Sequence, residues 1–164
     1  MNPEVVRLAD EHATVDAFEG ALLQLLQRRV GFDAGFFMVK GEEASPTVVG
    51  LGDELVERVV RRAAQYSAEL QPVQTAATQA RGVAVDTRVL GESGVRKTAY
   101  FREVARSVGG RHSLMAYVPL RGRIVAGIML GRCGSTFTDR DIAVVEDCLP
   151  EIGVARASYA LPRG

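Results

Sequence analysis

Two long apolar segments, residues 113–120 and 124–132, are separated only by Arg121-Gly122-Arg123. A connection this short joins antiparallel neighbours, because a parallel partner needs a crossover of a dozen residues or more. A glycine in the turn fits a tight hairpin. The chain is therefore expected to build an antiparallel sheet rather than βαβ windings. Gly127 and Gly131 stand four residues apart on one face of the second strand. Bare backbone there leaves room for a close approach to the sheet, by a packed helix as the commoner occupant or a ligand as the rarer.

Helical signals flank this hairpin. Asn2-Pro3-Glu4 offers a cap, a proline in the first turn and an acid where the helix dipole favours one. Thr14 with Asp16 offers a second start, followed by Val15, Phe18, Leu22, Leu25, Leu26 and Val30 at helical spacing up to Gly31. Residues 34–39 and 47–50 read as paired strands, with a polar loop over 41–46. A helix from Asp53 turns Leu55, Val56, Val59, Val60 and Ala63 inward and ends near Pro72. Residues 73–82 carry no clear signal. Residues 83–86 suggest a short strand, and Gly91-Glu92-Ser93-Gly94 a loop before a helix over 98–107. Thr138 and Asp141 begin the last helix in the manner of a capping box. Its stripe is Ile142, Val145, Cys148, Leu149 and Ile152, and Pro150 is expected to kink it. The predicted order is α-β-β-α-β-α-β-β-α in one domain over residues 1–164, of α+β class. Both terminal helices look more widely apolar than one sheet face requires, which suggests a symmetric dimer through them.

Composition narrows the function. Acidic and basic residues balance at 20 each, so no global field recruits nucleic acid or anionic lipid. No apolar run reaches membrane-spanning length. The N-terminus lacks the pattern of a signal peptide, and two isolated cysteines fit neither a disulfide framework nor a zinc site; together they suggest a reducing cytoplasm. Gly50-Leu51-Gly52 sits where a dinucleotide fingerprint would, but Leu55 holds the third glycine position and Asp53 and Glu54 would repel a pyrophosphate. His112 and Ser113 are adjacent on a strand and point to opposite faces, so they form no nucleophile–base pair. Arg121 and Arg123 read as solvated turn residues, since no basic stripe continues from them. No catalytic constellation, metal site or cofactor motif is predicted. Tyr100-Phe101, Met115 and Tyr117 cluster near the same sheet and could line a pocket.

The stretches Val30-Gly31-Phe32-Asp33-Ala34, Tyr100-Phe101-Arg102-Glu103-Val104 and Arg111-His112-Ser113-Leu114 carry a resemblance, as do Gly127-Ile128-Met129-Leu130-Gly131-Arg132, Phe137-Thr138-Asp139-Arg140-Asp141 and Leu149-Pro150. The chain resembles a GAF domain, in particular the sensory part that precedes the helix-turn-helix of LuxR-type bacterial regulators. The resemblance implies a central antiparallel GAF- or PAS-like sheet. Terminal helices would lie on one face, and a small-molecule pocket under short helices and loops on the other. It implies a ligand site near Phe36, Met38, Tyr100, Phe101, His112, Met115 and Tyr117, with a signal leaving through the terminal helices. Departures from subfamilies are plain. There is no cysteine beside His112 to attach a bilin, no cyclic-nucleotide-binding Asn-Lys-Phe-Asp-Glu pattern, and no paired catalytic cysteines of the methionine sulfoxide reductases. No helix-turn-helix follows Leu161-Pro162-Arg163-Gly164 in the sequence, which leaves both a sensor piece and a stand-alone domain open. The alternative to a sensor is a dimerisation or scaffold module with a filled core.

Overall fold

The computed structural model describes residues 2–40 and 45–161. At its centre β4 (His112–Leu120) and β5 (Arg123–Arg132) pair antiparallel around a two-residue turn. Arg121 and Gly122 have φ of 51° and 77°, the left-handed pair of a turn whose twist matches the strands it joins. Arg123, expected in the turn, is the first residue of β5. On the other edge of β5 lies β1 (Ala34–Val39), then β2 (Thr47–Val49); β3 (Val83–Val85) pairs with β4. All pairings are antiparallel, and the order is β2-β1-β5-β4-β3. Of the loop expected over 41–46, residues 41–44 lie outside the described residues.

Pro119 stands in a central strand, where it removes a ladder donor. The register shifts there: Val118 opposes Ala126, whereas Pro119 opposes Ile124. Val125 is thus an extra residue, a β-bulge. Beyond it Met115 faces Met129 and Tyr117 faces Gly127.

Helices α1 (Pro3–Glu11), α2 (Val15–Arg29) and α8 (Asp139–Ser158) cover one face. The expected caps form. Asn2 Oδ1 accepts from the N–H groups of Glu4 and Val5 at 3.1 and 3.4 Å, and Thr14 Oγ1 from that of Ala17 at 3.2 Å. Thr138 and Asp141 complete a reciprocal capping box. Leu22, Leu26, Leu114, Leu130 and Ile152 are fully buried between these helices and the sheet. The apolar width of the terminal helices is accounted for within one chain. Leu25 and Ile152 are only 5% and 0% exposed, because α1 lies against both α2 and α8. Val6 of α1 and Val154 of α8 are the large apolar side chains left exposed on this layer.

The opposite face carries α3 (Asp53–Arg61), α4 (Ala63–Glu69), α5 (Gln71–Gln79), α6 (Asp86–Arg96), α7 (Ala99–Glu103) and a 3-10 turn over Ala105–Val108. Pro72 begins a helix here rather than only following one. It occupies the first turn of α5, where the missing N–H has no intrahelical partner to lose. Most of the stretch without a signal, 73–82, is thus helical. Val60, expected to face inward, is 42% exposed, whereas its neighbour Val59 is buried as expected. Gly91 to Gly94, expected as a loop, lies inside α6, which Gly91 interrupts with φ 73° and ψ 161°.

α8 runs on through Pro150 and meets the bulge at Gly153, where a Cβ would stand 2.2 Å from the Pro119 carbonyl oxygen. Helix propensity alone favours alanine there by about 1 kcal/mol. Forced overpacking against backbone opposes it by about 1–3 kcal/mol. Gly153→Ala is therefore expected to lower the thermal midpoint. A midpoint raised by the substitution would show that α8 does not rest on the sheet at this point.

Candidate functional site

Between the short-helix layer and the sheet lies a cleft of about 570 Å³. Its floor is made of two cross-strand rows. Phe36, Met129 and Met115 stand side by side on β1, β5 and β4, and so do Met38, Gly127 and Tyr117. The wall is formed by Val59, Ala63, Tyr66, Leu70 and Gln74 from α3 to α5, and by Tyr100 from α7. The rings of Tyr66 and Tyr100 meet edge to face, with centroids 5.5 Å apart. Two acids hold the wall together. Glu69 accepts hydrogen bonds from the N–H groups of Ala99 and Tyr100 at 2.8 and 3.2 Å, fastening the start of α7 to the end of α4. Glu103 accepts from the Tyr66 hydroxyl at 3.5 Å and pairs with Arg62 at 2.8 Å.

The lining is close to charge-free. Among its described residues Lys40, which is exposed, is the only Lys, Arg, Asp or Glu. Burial pushes the Tyr117 phenol up to about 12, and burial with the nearby Asp86 raises that of Tyr100 as well. Both stay neutral near pH 7 and act as hydrogen-bonding groups, not bases. All three methionines after Met1 lie in this one cleft. Their flexible thioethers allow an apolar surface to adapt to what it contacts.

Of the residues singled out from sequence, Phe36, Met38, Tyr100, Met115 and Tyr117 come together here. Phe101 and His112 do not. Phe101 follows Tyr100 by a 100° helical step and lines a separate small depression with Val95 and Arg111. His112 falls one residue off the cleft-facing alternation of β4, with Nδ1 2.9 Å from Thr87 Oγ1. Burial lowers its pKa. Sequence reasoning missed the wall apart from Tyr100. Its signal was the helical spacing of Val59, Ala63, Tyr66, Leu70 and Gln74, which continues across residues assigned to a helix end. Met129 was also missed, although it sits between the two glycines on the same face. Nor does a helix fill the space at Gly127, where a Cβ would meet nothing within 4 Å.

No family model matches the chain, and no curated protein does. Solved structures do. The GAF domain/HD domain protein from Geobacter sulfurreducens superposes with a TM-score of 0.65 at 15% identity, over 92% of this chain and 97% of its own. The LBD domain of VqsR from Pseudomonas aeruginosa gives 0.64 at 18%, over 96% and 94%. The chain has the GAF fold. A third structure with it is CepR2 of Burkholderia cenocepacia, an N-acylhomoserine lactone-dependent LuxR family transcription factor, with a TM-score of 0.54 at 15% identity over 98% and 93%. The expected arrangement, terminal helices on one sheet face and short helices over the other, is present. No helix among the described residues is long and apolar enough to cross a membrane.

Behind the cleft of this GAF fold, at the junction of β3 and α6, Asp86 is 2% exposed. Its Oδ1 accepts from the N–H groups of Thr87 at 2.7 Å and Ser113 at 2.9 Å. The Ser113 N–H bond ties the β3–α6 junction to β4. Burial outweighs these bonds and pushes the carboxyl from 3.8 up to about 6. The folded chain therefore binds the proton more tightly than the unfolded one. The resulting stabilisation is complete below the unfolded value of 3.8 and is lost as pH rises through about 6. The rise corresponds to ~3 kcal/mol. Asp86→Asn keeps an acceptor without a titrating group. Its stability relative to the natural chain is expected to improve by ~2–3 kcal/mol between pH 4 and pH 7.5. Parallel urea-denaturation curves across that range would refute the assignment.

Proposed function

We propose that this chain is a regulatory sensor domain whose cleft takes up an uncharged, largely apolar small molecule. The observation that carries the reading is the cleft itself. It is about 570 Å³, within the roughly 300–1,000 Å³ of small-molecule sites. Its floor is methionine and aromatic, and apart from the exposed Lys40 its polar side chains are neutral hydroxyls and the amides of Gln71 and Gln74. Burying an unpaired charge against such a lining is costly. The neighbours of the same fold support a sensing role, and CepR2 is described as dependent on an acylated lactone. A scaffold with a filled core would leave no cleft of this size.

The ligand state is read out by the terminal helices α2 and α8, through the sheet they share with the cleft. A ligand shifts an equilibrium only as far as it binds one arrangement better than another. The short-helix wall, fastened by Glu69 and Glu103, is the part poised to differ between arrangements. Self-association through the terminal helices would have to use surface other than Leu25 and Ile152, which the single chain buries.

Native mass spectrometry of the purified protein is expected to find a small molecule carried along with it. Ligand at a hundredfold excess over its Kd should raise the thermal midpoint by about 5–10 °C. Tyr117→Ala and Tyr100→Ala should each reduce that shift, with affinity weakened about tenfold or more. A bare mass together with no thermal shift across a metabolite collection would turn the reading to the scaffold alternative.

A further inference from the structure

Glycine within a strand is destabilising by roughly 0.5–1 kcal/mol relative to alanine, so its presence there calls for a physical reason. Among the described residues eight glycines have one, in their conformation or in a close approach. Gly31, Gly50, Gly82, Gly91, Gly109 and Gly122 adopt positive φ. Gly35 and Gly153 lie so close to neighbouring backbone that a Cβ would stand 2.7 and 2.2 Å from a carbonyl oxygen. Gly127 has neither reason. Its φ is not positive, and a Cβ on it would meet nothing within 4 Å. Yet it sits in β5 with a strand paired on each side, opposite Met38 and Tyr117. The open space above it is the cleft.

The five other floor positions all carry large side chains: Phe36, Met38, Met115, Tyr117 and Met129. The methionines can swing, but the backbone at Gly127 cannot, so the depth of the floor is fixed at this one point. We propose that Gly127 is the specificity-determining residue of the cleft. The apolar body of the ligand rests directly on its backbone between Met38 and Tyr117, and the absent side chain sets the largest ligand accepted. This rests on the small-molecule reading above.

The test is a graded series, Gly127→Ala, Gly127→Val and Gly127→Leu, in the full chain. The probe is N-phenyl-1-naphthylamine, an uncharged dye that brightens in apolar surroundings, and thermal midpoints are measured alongside. Because the space is open and the backbone ordinary, all three variants should melt at or above the midpoint of the natural chain. Dye affinity should fall in steps, several-fold for alanine and at least about tenfold for leucine, as the added methylenes take up the dye's contact area. Stepwise loss of dye with stability kept would support the proposal. If the dye binds the natural chain and Gly127→Leu equally, Gly127 does not set the depth, while the small-molecule reading stands. Midpoints that fall by several degrees even for Gly127→Ala would overturn it too, since the space would then be needed by the fold. A natural chain that neither brightens the dye nor shifts its midpoint with it would remove the apolar-ligand reading and this proposal together.

Discussion

One extra residue in β5 decides which side chains of the central hairpin look into the cleft. Antiparallel partners share a face, and side chains alternate with a period of two. From the turn, Leu120 opposes Arg123, and an unbroken ladder would set Met115 opposite Ile128. The bulge at Val125 moves the pairing by one, so that Met115 meets Met129 and Tyr117 meets Gly127. Without it, β5 would turn Ile128 and Leu130 toward the cleft and Gly127 and Met129 toward the terminal helices. One face would then lose its aliphatic filling, and the other its opening. Pro119 stands at the shift, where the ladder is already interrupted and its missing N–H does least harm. Gly153 of α8 closes on its carbonyl from the helix side. The bulge is thereby packed in place rather than free to slide.

The two faces then differ in kind. Toward the terminal helices the hairpin presents Leu114, Ala116 and Val118 against Ala126, Ile128 and Leu130, all essentially buried. Mostly branched, conformationally restricted side chains fill that space densely. Toward the short helices it presents Met115 and Tyr117 against Gly127, Met129 and Gly131. Two glycines and two methionines supply little fixed volume, and the short helices above them are held off by the rings of Tyr66 and Tyr100 and by the polar clasps of Glu69 and Glu103. A sheet with one filled face and one under-filled face can bury a core and keep a cavity in a chain of this length.

Much of this was legible in the sequence where the signals are local. Asn2, Thr14 and Thr138 cap the helices they were expected to cap, because capping depends on a few adjacent residues. The turn at Gly122 and the strand 34–39 were likewise readable from turn chemistry and β-branched or aromatic content. Five of the seven expected site residues share one cleft, since parity along β4 and β1 holds without any long-range information. The rest depended on distant contacts. The break in α6 at Gly91 and the renewed helix at Pro72 are short-helix geometry that only packing on the sheet selects. Phe101 lies one residue from Tyr100, and His112 on the opposite face of β4 from Met115 and Tyr117, offsets that adjacent sequence does not resolve. The bulge left no mark beyond Pro119. The apolar stripes of α2 and α8 were read without α1, a distant contact that covers part of both.

The strand that forms the floor also holds the helices that would carry a signal. β5 ends in Arg132, whose side chain is only 15% exposed. Its Nε donates to the Gly31 carbonyl at 2.8 Å, and a further nitrogen donates to that of Val30, at the end of α2. Nη1 donates to the Thr136 carbonyl at 2.9 Å and pairs with Asp141 at 3.1 Å, at the start of α8. The guanidinium also lies 4.4 Å from the centre of the Phe137 ring. A planar group with several donors can meet all these partners at once, which a lysine ammonium cannot. A displacement of β5 at Met129 would therefore reach the end of α2 and the start of α8 through one side chain, three residues away. Contact alone is not coupling, which needs an element with two arrangements that both ends bias. In the proposed reading the under-filled face would give such an element its freedom, and the densely filled face would pass its movement to the helices as a unit.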